Sequence, residues 1–126
     1  MKEAFEMLQQ ITTQLYEECD NSWTRFMQFR EQQYEPDFFD EVRPYANQIH
    51  ELLNEWQQLA EQFIVEYHPK YVHMVQINNT AEQIDQFVVQ SFYIKTSKKR
   101  LYQSIQAAKY TCETLLSAMR EVVDES

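Results

Sequence analysis

Apolar side chains recur every three or four residues along four segments of this chain, the signature of amphipathic helices. The first segment carries Ala4, Leu8, Ile11, Leu15, Cys19, Ser22, Phe26 and Phe29. It fades at Gln32-Gln33-Tyr34-Glu35, and Pro36-Asp37 marks a restart. Proline suits a first helical turn, and an acid there complements the helix dipole. The second segment runs Phe39, Val42, Ala46, Ile49, Leu53, Trp56, Ala60, Phe63, Tyr67, and stops at His68 because Pro69 disfavours helix in the residue before it. Pro44 interrupts this stripe. Either a short turn over 37–42 precedes a helix starting near Pro44, or one helix kinks; the unbroken phase of the stripe favours the kink. The third segment reads Ile77, Ala81, Ile84, Val88, Ser91, Lys95, and the fourth Leu101, Ile105, Ala108, Cys112, Leu115, Met119, Val122. Thr96-Ser97 between them offers a helix cap.

Spacings averaging close to 3.5 suit helices packed nearly antiparallel at about 20°. With short connections, sequential helices lie side by side. The pattern predicts an all-α, antiparallel up-down-up-down four-helix bundle occupying residues 1–126 as one domain. The third segment is broader than its seam, with Phe87, Val89, Phe92, Tyr93 and Ile94 also apolar. Such breadth means either packing against two neighbours or an exposed flank that meets a partner or a second copy.

Composition narrows the chemistry. The 126 residues include no glycine, where ordinary usage would supply about nine. Dinucleotide fingerprints, P-loops and nucleophile elbows all need glycine at fixed positions and are thereby removed. At 44% apolar residues the chain has enough to build a core. Its longest apolar runs are triplets such as Phe63-Ile64-Val65, far short of the ~20 residues of a membrane span. The start, Met1-Lys2-Glu3-Ala4-Phe5-Glu6, lacks the form of a secretory signal, and the expectation is a soluble cytoplasmic protein. Cys19 and Cys112 fall on core faces and read as buried thiols, with a bridge requiring Cα atoms within about 7 Å.

The formal net charge is −9, unevenly spread. Residues 1–67 hold 4 basic and 14 acidic side chains, whereas residues 68–110 hold 6 basic and 2 acidic. Most of that local positive charge is one cluster, Lys95, Lys98, Lys99 and Arg100. Three of these cations sit in the first turn of the fourth helix, against the preference of its dipole. In an up-down bundle the acidic stretch Glu35, Asp37, Asp40, Glu41 reaches the same end, so surface pairing is the plain expectation. The alternative is a site for phosphate or an acidic partner. Overall acidity argues against nucleic acid.

Catalytic and metal chemistry find little support. The Glu-x-x-His motif of di-iron bundles is absent, because Asn47, Val65 and Lys70 stand three residues before His50, His68 and His73. Neither cysteine has a helix N-terminus or nearby cation to activate it. No cofactor, metal site or catalytic residue is expected, and the chain reads as a non-enzyme. The remaining ligand hypothesis is a small-molecule or metal cavity near Arg43, Tyr45 and His50.

Several patches taken together resemble a known family. Tyr34-Glu35-Pro36-Asp37-Phe38-Phe39, Pro69-Lys70-Tyr71-Val72-His73 with Gln76-Ile77, Gln90-Ser91-Phe92-Tyr93 and Lys98-Lys99-Arg100 occur in the order seen in the YppE-like family of small bacterial cytoplasmic proteins. The likeness runs from about Tyr34 to Cys112. His68 departs from the arginine, and Leu101 from the aromatic, that the resemblance leads one to expect. The resemblance implies an antiparallel four-helix bundle and brings no activity, cofactor or catalytic residue.

Two groups of residues emerge. Lys95, Lys98, Lys99, Arg100, Phe92 and Tyr93 form a candidate partner-binding end of a non-catalytic protein-interaction module, a monomer or weak homodimer that engages neither membrane nor nucleic acid. Pro69, Lys70, Tyr71 and His73 form a structural loop, with Tyr71 and Val72 expected to plug the open end of the core.

Overall fold

A computed structural model describes residues 2–125 as four long helices with no strand among them. These are α1 (Lys2–Gln32), α2 (Arg43–Tyr67), α3 (Met74–Gln90) and α4 (Lys98–Glu125). Side-chain contacts fix their directions. Along the α1–α2 seam, Tyr45 meets Glu18, Trp56 meets Thr12 and Phe63 meets Phe5, so one helix climbs as the other descends. The α2–α3 seam pairs His50 with Asp85 and Gln57 with Asn78. The α1–α4 seam pairs Tyr16 with Glu113, Asp20 with Lys109 and Trp23 with Tyr102. Each neighbour runs opposite to the last, and α4 closes the ring against α1.

All four helices contribute to one core. Leu8, Ile11, Leu15, Cys19 and Phe26 come from α1, and Ile49, Leu53, Trp56, Ala60 and Phe63 from α2. Ile77, Ala81, Ile84, Phe87 and Val88 come from α3, and Leu101, Ile105, Ala108, Cys112, Leu115 and Met119 from α4. These are the predicted stripes almost residue for residue. Fully burying one such side chain is worth about 1.5–3 kcal/mol. Trp56, wholly buried, donates its indole N–H to Thr12 Oγ1 at 3.0 Å. Thr12 in turn donates to the Leu8 carbonyl at 2.6 Å, so no polar atom is stranded there.

The structure departs from expectation at the head of α2, at the end of α3 and in the loop after α2. Around Pro44 the favoured kink does not form; the alternative holds, a short turn preceding a helix that starts at Arg43. Residues Phe38–Val42 form one π-helical turn that leads directly into α2. The Val42 N–H reaches back five residues to the Asp37 carbonyl, and the Arg43 N–H to that of Phe38. Pro44 has no N–H to donate and its ring crowds the carbonyls of the preceding turn, so a wider turn accommodates it. One extra residue rotates the apolar phase by about 100°. Val42 therefore stays buried while Phe39, placed in the stripe by the sequence reading, is 69% exposed.

Helix α3 ends at Gln90, so Lys95 lies beyond it on an exposed turn. At the end of α2, His68 adopts a left-handed conformation (φ 48°, ψ 52°), and its N–H closes the helix on the Ile64 carbonyl at 2.9 Å. A glycine commonly fills this position. In the loop that follows, Val72 is the core plug at 2% exposure. Tyr71 is not, being 73% exposed, because alternate residues of this extended stretch face opposite ways. Lys70 and His73 face water, and Pro69 is half-buried.

Candidate functional site

The first turn of α4 and the connection before it form the basic end of the bundle. Lys95, Lys98, Lys99 and Arg100 are all exposed. Among the described residues, none of the four side chains forms an ion pair or hydrogen bond. The pairing expected with the acidic stretch does not occur. Two of those acids serve their own loop instead: Asp37 Oδ1 accepts the Asp40 N–H at 2.9 Å, and Glu41 Oε2 accepts the Asp37 N–H at 2.8 Å. The Tyr34 hydroxyl also donates to Glu41, at 2.7 and 2.8 Å to its two oxygens, and this bond raises the Tyr34 phenol above its ordinary pKa. A carboxylate already holding two local donors gains little by reaching for a solvated lysine.

The basic turn is firmly built. Thr96 donates to the Gln90 carbonyl at 2.8 Å, and Ser97 accepts the Arg100 N–H at 3.3 Å as the α4 cap. Tyr93 is 37% exposed beside it. Phe92, expected on the partner-facing side, is instead 6% exposed and packs inward. The helix has already ended two residues earlier, so Phe92 turns back over the core rather than continuing the outer face of α3.

Beneath that turn lies a buried polar network that the sequence reading did not find. Glu18, 3% exposed, sits in the middle of α1. One of its oxygens accepts the Tyr45 hydroxyl. The other accepts Ser22 Oγ at 2.9 Å and lies 3.4 Å from both terminal nitrogens of Arg25. Arg25 Nη1 donates to Ser91 Oγ at 2.7 Å, and Ser91 donates onward to the Val88 carbonyl at 2.6 Å. The Arg25 guanidinium packs against the rings of both Tyr45 and Phe92, 4.6 Å from each centroid, and the two rings touch each other edge to face at 5.9 Å. Burial, followed by the bond to Glu18, pushes the Tyr45 phenol up to about 12. The phenol therefore stays protonated as donor, the carboxylate and guanidinium cancel, and no net charge is buried. Among the described residues, every buried side-chain nitrogen and oxygen has a partner.

A signal for this network does exist in the chain. Glu18, Ser22 and Arg25 follow one another at helical spacings of four and three, directly alongside the seam of Leu15, Cys19 and Phe26. Charged residues so close to a seam either snorkel or pair, and the sequence does not supply the partner on α2.

The ligand cavity expected near Arg43, Tyr45 and His50 is not assembled. Tyr45 turns toward α1, Arg43 is exposed, and His50 lies on the opposite side, its Nδ1 2.7 Å from Asp85. A cleft of about 330 Å³ does open beside His50, lined by Asn54, Gln57, Asn78, Glu82 and Asp85. Among the described residues no three histidine, cysteine or acidic side chains are grouped to hold a metal ion, and no helix is long and apolar enough to cross a membrane.

Residues 12–119 match the model of a bacterial domain of unknown function, DUF1798. The chain belongs to the DUF1798 family. The uncharacterised YppE of Bacillus subtilis is 28% identical over 104 residues, spanning 82% of this chain and 85% of that protein. The YppE crystal structure superposes with a TM-score of 0.90 at 24% identity, covering 94% of this chain and 97% of the other. A protein of unknown function from Listeria innocua gives 0.91 at 19% identity over the whole of both chains. A DUF1798 protein from Staphylococcus aureus gives 0.81 at 25% identity, over 89% of this chain and 95% of its own. The four-helix architecture is thus that of DUF1798 proteins, and no activity is assigned to the family members matched.

Proposed function

We propose that this chain is a non-catalytic interaction module of the cytoplasm, a monomer or weak dimer, that binds an acidic surface of another protein. Lys95, Lys98, Lys99 and Arg100 make the contact, with Tyr93 at its edge. One observation carries this reading: four exposed cations without internal partners stand together on a chain of net charge −9. Three of them also sit where the α4 dipole disfavours them. A feature that runs against local preference and is not compensated internally is expected to serve something outside the fold. Paired charges across a protein interface steer association and select partners more than they add affinity.

The test is retention of proteins from native lysate at low salt, comparing wild type with the Lys98→Glu, Lys99→Glu, Arg100→Glu variant. Far-UV circular dichroism should coincide for the two, because all three side chains are exposed. Wild type should retain a partner that mass spectrometry identifies and that the variant loses. Equal retention by both would remove the basic end from the proposal.

A further inference from the structure

The π-helical turn at the head of α2 displays two adjacent phenylalanines that the core does not use. Phe38 is 46% exposed and Phe39 69%, and their rings meet edge to face at 5.3 Å. Two large apolar side chains held together in water cost solvation free energy that a partner would recover. Their support is ordered: Asp37 caps the turn through Asp40, and Glu41 ties back to Asp37 and Tyr34. Single π turns within helices often mark functional positions. This one presents the rings outward by shifting the phase of the stripe.

The pair shares its end of the bundle with the basic turn. Phe29 bridges the two connections, packing on Tyr34 at 4.7 Å and on Phe92 at 5.9 Å. We infer that Phe38 and Phe39 are the apolar half of the docking surface whose cationic half is Lys95, Lys98, Lys99 and Arg100. The occupant is an amphipathic acidic helix of another protein. This inference rests on the reading given under Proposed function and adds the chemistry of the partner. Charge complementarity selects the occupant. The cations call for carboxylates and the rings call for aliphatic or aromatic residues, and one helix offers both at i, i+3 and i+4 spacings. An anionic bilayer fits worse: a flat charged surface would meet Glu35, Asp37 and Asp40 as well as the cations, whereas a helix can set its carboxylates over the cations and only apolar residues over the rings.

The probe is a phage-displayed library of random peptides about 16 residues long, enough for four helical turns, selected on the full chain. Enriched peptides should combine Asp or Glu with Leu, Ile or aromatic residues at helical spacing. A synthetic representative should gain helical signal on binding. Its affinity should fall about tenfold or more for Phe38→Ser with Phe39→Ser, and likewise for the Lys98→Glu, Lys99→Glu, Arg100→Glu variant. Weakening by charge reversal with no change on losing the phenylalanines overturns this inference and leaves the basic-end reading standing. Indifference to charge reversal overturns both. Enrichment of peptides lacking either acidic or apolar bias overturns the partner chemistry assigned here. So does Phe38/Phe39-dependent binding to phosphatidylserine vesicles, or sedimentation showing a dimer that the double serine variant abolishes.

Discussion

Arg25 and Ser91, 66 residues apart in the chain, are joined by a 2.7 Å hydrogen bond that ties the last third of α1 to the end of α3. Ser91 and Phe92 open the connection that carries the basic cluster, so that connection is anchored to a buried ion pair rather than lying loose over the bundle. Order at the core is thereby transmitted to the exposed cations.

Removing one partner of that pair should be costly. Arg25→Met strands the Glu18 carboxylate, whose side chain is 4% exposed, and is expected to destabilise by about 3–5 kcal/mol. Urea unfolding should show a lowered midpoint at unchanged slope. Combining Arg25→Met with Glu18→Leu removes both charges and should recover most of the loss. A double variant no better than the single one would mean that Glu18 carries no uncompensated charge.

Alkali should weaken the fold before it titrates the buried groups. Burial raises the Cys112 thiol from 9.0 to about 12 and the Tyr45 phenol from 10.0 to about 12, and it raises Cys19 as well. The unfolded chain releases these protons first. Their contribution is therefore complete below about pH 9 and is lost progressively as pH climbs toward 12. Denaturant midpoints should hold level up to about pH 9 and fall steadily from there to about pH 11. Tyr45→Phe should make that fall shallower and remove a late step from the phenolate absorbance titration.

The two thiols should be inert in the folded protein. Cys19 and Cys112 both have 0% exposure, and burial holds each in the unreactive thiol form. Labelling by Ellman's reagent at pH 8 should proceed only as fast as the bundle opens, and should accelerate in step with unfolding as urea is added. Rapid stoichiometric labelling without denaturant would contradict this burial.

A chain with no glycine leaves stability unrealised at its helix ends. His68 holds φ at +48° and is 2.9 Å from its capping carbonyl through its backbone N–H. His68→Gly keeps that bond and removes the Cβ clash, worth about 1–2 kcal/mol, against an entropic cost of about 0.5–1. Thermal unfolding should shift upward by a few degrees. A downward shift would show that the imidazole makes a contribution of its own.

Much of the molecule was legible in one dimension. A helix seam repeats every three or four residues whatever it packs against, so Leu8 to Phe26 and Leu101 to Met119 were identifiable as core from spacing alone. The absence of glycine, the −9 charge and the clustering of Lys95, Lys98, Lys99 and Arg100 are likewise properties of the chain itself. Tertiary structure decided what depends on distance between segments. It buried Glu18 with Arg25 and Tyr45, a set drawn from two helices, and turned Phe92 inward onto the guanidinium. It also gave Asp37 and Glu41 to their own turn, leaving the cations free, and inserted the π turn that exposes Phe39. Periodicity reports which way a side chain points from its own helix axis. Which polar groups meet once the helices are packed is settled by hydrogen-bond geometry at close range, where a rotation of one residue exchanges core for solvent.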